Sequence, residues 1–253
     1  MVKKINLKKY FVIILAAGMG RRLGKAGKNK PKTLTLINNK SILDSLVKKL
    51  INYKVKKIHF VLGYKSKMIL KNLKNFNLKF SYNISDKFQK TGHGYSWYLS
   101  ERKFKKYKKP VIIIHADILF SVNFLKNIIT SHRNNIIGSK IIKDKNSVKN
   151  IFKISTINST KISRISRNLK IKRGMTEVIG INKISFKTQK EIFSFLREKF
   201  KDKQNLKLGW EDLLDKYICS TNDKFYILQN QNFNWININK TKDIIKARKM
   251  NFG

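Results

Sequence analysis

Apolar, β-rich runs alternate along this chain with longer segments of helical period, the pattern of an α/β domain. Tyr10–Leu15 is apolar throughout its second half and predicts a strand buried on both faces. Ser41–Asn52 predicts a helix, with Ser41 as N-cap and Ile42, Leu43, Leu46, Val47 and Leu50 at core spacing. Further strands are expected at Lys57–Leu62, Leu78–Tyr82 and Val111–His115, and helices at Ser66–Phe76, Gly94–Phe104 and Ser121–Ser131. The middle changes character. Phe152–Thr156 and Lys161–Ser166 alternate apolar and polar residues around Asn158-Ser159-Thr160, which predicts a half-exposed β-hairpin. A return strand follows at Glu177–Asn182, then helices at Thr188–Phe200 and Glu211–Ile218, and a strand at Lys224–Leu228. Trp235–Ile238 reads as a short extended piece and Thr241–Met250 as a closing helix. Neither a repeat nor a linker interrupts the series, so one domain over 1–253 is expected, built on a Rossmann-like, mostly parallel mixed sheet flanked by helices, with an inserted β-hairpin.

Composition adds bounds. The 253 residues carry 57 Lys+Arg against 14 Asp+Glu, a formal charge of +43, yet 42% are hydrophobic, too many for a disordered chain. Lysine excess is spread from Lys3 to Lys249 alongside heavy use of Ile, Asn and Phe, so the charge reads as compositional background that favours small anionic substrates. It also keeps open a basic, non-catalytic nucleic-acid binder, although no tail block or zinc-finger spacing supports one and a nucleic-acid partner is not expected. The single cysteine, Cys219, is expected to pack on a helix, and a reducing, cytoplasmic setting fits its lack of a disulfide partner. No apolar run reaches the roughly 20 residues that span a bilayer. Met1–Gly18 has a basic start and an apolar stretch like a signal peptide, but it runs straight into Gly-Met-Gly-Arg-Arg and reads better as a first strand feeding a turn.

That turn is the most informative segment. Leu15-Ala16-Ala17-Gly18-Met19-Gly20-Arg21-Arg22-Leu23 ends a strand in small residues followed by cations, and Pro31-Lys32 lies just downstream. Without bulky side chains, successive amides can approach an anion and form a donor nest, while Arg22 and Lys32 neutralise a polyphosphate. Walker A fails here, because Gly24-Lys25 and Gly27-Lys28 lack the upstream Gly and the following hydroxyl. The dinucleotide fingerprint fails too, since Leu23 stands where its third Gly belongs.

These residues resemble the signature of the nucleotidyltransferases that include sugar-1-phosphate nucleotidyltransferases and the cytidylyltransferases for phosphocholine and inositol phosphate. The resemblance covers nearly the whole chain. It implies nucleoside triphosphate binding by Leu15, Ala16, Ala17, Gly18, Met19, Gly20 and Arg21, with Thr91, Gly92 and Gly94 at the base. His115-Ala116-Asp117 sits where the family has its metal-binding Asp, and Trp235-Ile236-Asn237-Ile238-Asn239, with Asp243 after it, resembles the segment carrying the second ligand. Mg²⁺ is therefore expected on Asp117 and Asn239. Arg22, Lys32 and Asp117 form the expected catalytic set, and Glu177, Gly180, Trp210, Glu211 and Asp212 the acceptor side. By the same likeness the triphosphate half covers about 8–135 and the acceptor half about 136–253.

The chain departs from the choline and inositol branches, which place carboxylates at 237 and 239. Asn is a neutral oxygen ligand, and some uridylyltransferases of the superfamily use it at the position of Asn239. The implied reaction passes a nucleoside monophosphate to a phosphorylated small molecule and releases pyrophosphate. Gly92-x-Gly94-x-Ser96, the short spacing from Arg22 to Pro31, and the Trp210/Trp235 pair favour CTP with an alcohol or polyol phosphate, such as inositol phosphate or phosphocholine. A sugar-1-phosphate nucleotidyltransferase using UTP, GTP or dTTP is the alternative.

Overall fold

In the computed structural model, which describes residues 7–27, 29–55, 57–142, 151–229 and 233–252, the run Phe11–Ala16 forms strand β1 with every residue buried. Period-two geometry divides it between two cores: Val12, Ile14 and Ala16 enter one, Phe11, Ile13 and Leu15 the other. After β1 the chain makes a two-residue pair, β2 (Leu36–Ile37) and β3 (Lys40–Ser41), and then α1 (Ile42–Asn52). Ser41 caps α1 as expected: its Oγ accepts from the Asp44 amide at 2.9 Å, and the Asp44 carboxylate accepts from the Ser41 amide at 3.1 Å.

Next come β4 (Ile58–Leu62), α2 (Ser66–Leu73), β5 (Phe80–Ile84), α3 (His93–Leu99), α4 (Glu101–Phe104), β6 (Val111–His115), β7 (Ile118–Phe120) and α5 (Val122–Thr130). The helix expected over Gly94–Phe104 is divided at Ser100, whose hydroxyl donates to the Trp97 carbonyl at 2.6 Å. The second half holds β8 (Ile136–Ile141), β9 (Lys153–Ile157), β10 (Lys161–Ser166), β11 (Thr176–Ile184), α6 (Phe186–Lys199), α7 (Trp210–Ser220), β12 (Tyr226–Gln229), β13 (Trp235–Asn237) and α8 (Thr241–Arg248).

Among the described residues the main sheet has nine strands in the order β5-β4-β1-β6-β11-β8-β12-β10-β9. β5, β4, β1 and β6 are parallel, while β11 inserts antiparallel between β6 and β8. Helices cover both faces: α1, α2 and α5 contribute to one core, α6 and α7 to the other. The hairpin β9–β10 turns through the three residues Asn158-Ser159-Thr160, with Asn158 and Ser159 at positive φ. Rather than standing apart, it extends the main sheet, with β9 also pairing β11 and β10 pairing β12.

Two expectations are corrected. Ile136–Ile141 had no predicted element and is an inner strand; Gly138 and Ser139 interrupt its apolar pattern. Gly138 is needed there, since a Cβ would lie 2.5 Å from the Ile181 carbonyl oxygen. Cys219, expected to pack, is exposed on α7. Among the described residues, no helix is long and apolar enough to cross a membrane.

Candidate active site

β1 and β6 run side by side in register, Leu15 opposite His115, and the Ala116 amide donates to the Leu15 carbonyl at 3.0 Å. The turn after β1 and Asp117 therefore leave the same edge of the sheet together, at the carboxyl ends of its parallel strands. Leu15, Ala16 and Ala17 are buried and set the direction of the turn. Gly18, Met19 and Gly20 follow, and among the described residues their amides meet no protein acceptor. Arg21 is exposed.

Gly20 has φ +68°, and a Cβ on it would stand 2.7 Å from Lys32 Cβ. Glycine is thus demanded both by the left-handed backbone and by the packing of the lysine. Leu23, fully buried, anchors the far side through its amide to the Gly20 carbonyl at 3.0 Å.

Lys32 follows Pro31 at the start of a tight turn in which the Thr35 amide returns to the Lys32 carbonyl. Its stem is buried and its ammonium is directed inward. Lys32 Nζ donates to Asp117 Oδ2 at 2.6 Å and to Asn239 Oδ1 at 2.8 Å. Arg22 Nη2 donates to the same Asn239 oxygen at 2.9 Å. Four residues chosen from sequence, spread over positions 22 to 239, therefore meet at one point. Burial opposes charge on Asp117, but the Lys32 ammonium, with His115 beside it, holds the carboxyl below its usual range.

Pairing of β13 with β7 brings the other carrier of the site into place: Asn237 lies opposite Ile118, and the Ile238 amide donates to the Asp117 carbonyl at 2.9 Å. Asp243 does not face the cluster. Its carboxylate accepts from the amides of Asn239 and Lys240 at 2.8 and 2.7 Å, capping α8. Asp117 Oδ1 and Asn237 Oδ1 are buried acceptors without a hydrogen-bond partner among the described residues. Asn239 Oδ1 accepts from Lys32 and Arg22, and all three atoms are oxygens of the kind a hard divalent cation takes. Asn237 was noticed in sequence only as a missing carboxylate; the unpaired oxygen beside Asp117 is a tertiary finding.

The remaining sequence-derived residues divide. Gly180 lies at positive φ (+82°) where the β11–β8 register shifts, and a Cβ there would meet His115 Cβ at 3.1 Å. It lets β11 close on His115, the residue two before Asp117. Glu177 is half buried on β11; burial pushes its pKa up, against the pull of Lys140 and Lys246.

Gly92 and Gly94 serve packing: their amides donate to the carbonyls of Leu206 and Leu208, at 2.7 and 3.3 Å. A Cβ on Gly92 would fall 2.1 Å from the Leu208 carbonyl oxygen. Thr91 donates its hydroxyl to Lys87 O at 2.9 Å.

Trp210, expected at the acceptor, is 1% exposed and packs edge-on against Trp97 and His115. Asp212 accepts from the Gly209 amide at 3.0 Å and caps α7. Glu211 is buried 2.6 Å from His93 Nε2; burial opposes both charges, yet each partner favours the other, lowering Glu211 and raising His93.

A helix-flanked mixed sheet with an open amide turn, two cations and a carboxylate at its carboxyl edge defines an α/β protein with a basic site at its strand ends. The chain belongs to the nucleotidyl transferase family, whose model matches residues 11–165, more than half its length. Over 129 residues it is 29% identical to the bifunctional protein GlmU of Wigglesworthia glossinidia brevipalpis, covering 51% of this chain and 27% of that one. Over 122 residues it is 28% identical to the CTP:phosphoglutamine cytidylyltransferase of Campylobacter jejuni, covering 47% and 48%. The chain thus spans about a quarter of the first relative and about half of the second.

Its fold is similar to that of the CTP:phosphocholine cytidylyltransferase from Streptococcus pneumoniae, with a TM-score of 0.79, 20% identity and coverage of 95% and 98%. A Bacillus anthracis protein described as a glucose-1-phosphate thymidylyltransferase gives a TM-score of 0.76, 20% identity and coverage of 96% and 97%.

Proposed function

We propose that this protein transfers a nucleoside monophosphate from a nucleoside triphosphate, CTP by preference, to a phosphorylated alcohol or polyol, releasing pyrophosphate. The observation that carries the proposal is the meeting of Arg22, Lys32, Asp117 and Asn239 beside the Gly18–Gly20 turn, whose amides have no protein acceptor among the described residues. An oxygen of the acceptor phosphate attacks the α-phosphorus, and the bond from that phosphorus to the bridging oxygen of the β-phosphate breaks. The attacking oxygen is already an anion, so no side chain has to remove a proton.

The protein's task is alignment and charge neutralisation. Amides of the Gly18–Gly20 turn bind the β- and γ-phosphates. Lys32 and Arg22 stabilise charge as it gathers on the leaving pyrophosphate. Asp117 and Asn239, with Asn237 beside them, would hold Mg²⁺, which supplies positive charge to the phosphate oxygens when bound. Thr91 and its neighbouring glycines border the base.

Likeness to a CTP-using relative and to a CTP-using fold neighbour supports the choice of base. A second reading, a sugar-1-phosphate nucleotidyltransferase, is favoured by Asn239 in place of a carboxylate and by the thymidylyltransferase-like neighbour. The free thiol of Cys219 agrees with a cytoplasmic setting. Pyrophosphate release with each of four nucleoside triphosphates and Mg²⁺, against phosphocholine, inositol 1-phosphate and sugar 1-phosphates, tests base and acceptor together. Absence of turnover with every pair, together with steeply salt-dependent RNA binding, would replace the enzyme by a basic nucleic-acid binder.

A further inference from the structure

Beside the cation-and-carboxylate cluster, the edge formed by β8, β11, β13 and α8 gathers a second set of polar groups. Glu177 on β11 lies directly opposite Lys140 on β8. Its other cross-strand neighbour, Lys153, is committed elsewhere, donating its ammonium to the Arg167 carbonyl. Lys246, exposed on α8, acts on the same carboxyl through space, as Lys140 does. Among the described residues neither closes an ion pair with Glu177. Trp235 completes the set. Its indole N–H donates to the Ile179 carbonyl at 3.1 Å, which fixes the ring, and Lys140 Nζ lies over that ring at 5.7 Å from its centre.

This arrangement has a consequence for the acceptor. A quaternary ammonium is held by the face of an aromatic ring backed by negative charge. Here the ring face already carries an ammonium, and two lysines outnumber the one carboxyl. A permanent cation entering this edge meets net repulsion and displaces Lys140 from Trp235. Hydroxyl or carboxylate oxygens, by contrast, find two ammonium donors and, for a hydroxyl, the Glu177 acceptor.

Resting on the transferase reading, we infer that the acceptor is a phosphate ester whose other end is rich in oxygen, and that Lys140, opposite Glu177 and over the Trp235 ring, excludes acceptors bearing a quaternary ammonium. Lys140 is a specificity residue absent from the sequence-derived set, on a strand the apolar pattern did not reveal.

Binding and turnover are measured separately on the full chain. Trp97 and Trp210 are fully buried, so changes in tryptophan emission report chiefly on half-exposed Trp235, with Trp235→Phe as the control that removes the signal. Myo-inositol 1-phosphate and 3-phosphoglycerate are expected to bind at least tenfold more tightly than phosphocholine, and their ratio tells hydroxyl from carboxylate recognition. Lys140→Glu and, on the exposed helix face, Lys246→Glu should each narrow the preference over phosphocholine at least fivefold. In turnover the change falls on the acceptor KM, with the KM for the triphosphate unmoved. Phosphocholine binding as well as or better than both oxygen-rich esters overturns the inference, as does a preference that neither variant moves. The preference without turnover for any triphosphate would sustain this pocket and refute the transferase reading; turnover favouring phosphocholine would do the reverse.

Discussion

The turn after β1 and the start of α7 both carry sequences that suggest ligand contact, yet the structure uses them in opposite ways. In Gly18-Met19-Gly20 the backbone amides meet no protein acceptor among the described residues, and the neighbouring cations converge on Asp117 and Asn239. In Trp210-Glu211-Asp212 both carboxylates are spent internally, one on His93 and the other on the Gly209 amide, and the indole lies in the core. Chemistry-bearing residue types are therefore weak evidence until their hydrogen-bonding capacity is accounted for.

The comparison breaks most sharply at Lys32 and Trp210. Lys32→Ala is expected to lower kcat by a factor of about 10²–10³, the usual effect of losing one group aimed at developing charge, with the far-UV circular dichroism unchanged. Trp210→Ala should do the opposite, costing about 3–5 kcal/mol of stability as a large buried aromatic. Its surviving folded fraction should keep a near-normal KM for the triphosphate. Equal kinetic damage from both, measured at a temperature where both are folded, would erase the distinction.

A milder test lies at Gly20. Gly20→Ala forces an L-residue into the left-handed region, a cost of about 1–2 kcal/mol, and presses on the Lys32 stem. Thermal melting should fall modestly while kcat drops tenfold or more; a fall in stability alone would separate the turn from the lysine.

The smallest effect concerns pH at the start of α7. His93 is raised from its ordinary 6.5 by Glu211 despite burial, so its contribution is complete below 6.5 and is lost as pH rises through the raised value. Glu211 is lowered from 4.5, so its contribution is present above 4.5 and is lost as pH falls through the lowered value. The gap in melting temperature between wild type and His93→Gln should be widest between about 4.5 and 6.5 and shrink in alkali. The gap is small because the His93 side chain is 40% exposed. A gap independent of pH would mean the pair is packing rather than charge.

Much of the frame was legible in advance. The two-faced burial of β1, the Ser41 cap of α1 and the hairpin at Asn158-Ser159 each follow from local rules, a run of apolar side chains, a capping hydroxyl and residues tolerant of positive φ. The inner strand Ile136–Ile141 was not legible, because Gly138 looks like a loop residue unless the Ile181 carbonyl above it is known. Gly92 and Gly94 likewise answer a demand visible only in the fold, their missing side chains making room for the 206–208 segment.

What the amino-acid order settled by itself was the glycine turn, the cations Arg22 and Lys32, and the strand that delivers Asp117, since each depends on conformational preferences within a few residues. Only the folded chain decided which side chains still had unspent charge or hydrogen bonds. Asn237 and Lys140 gained candidate roles, and Trp210, Asp212 and Asp243 became structural, through contacts between residues far apart in sequence. Burial and pairing are properties of the assembled molecule, and no local pattern encodes them.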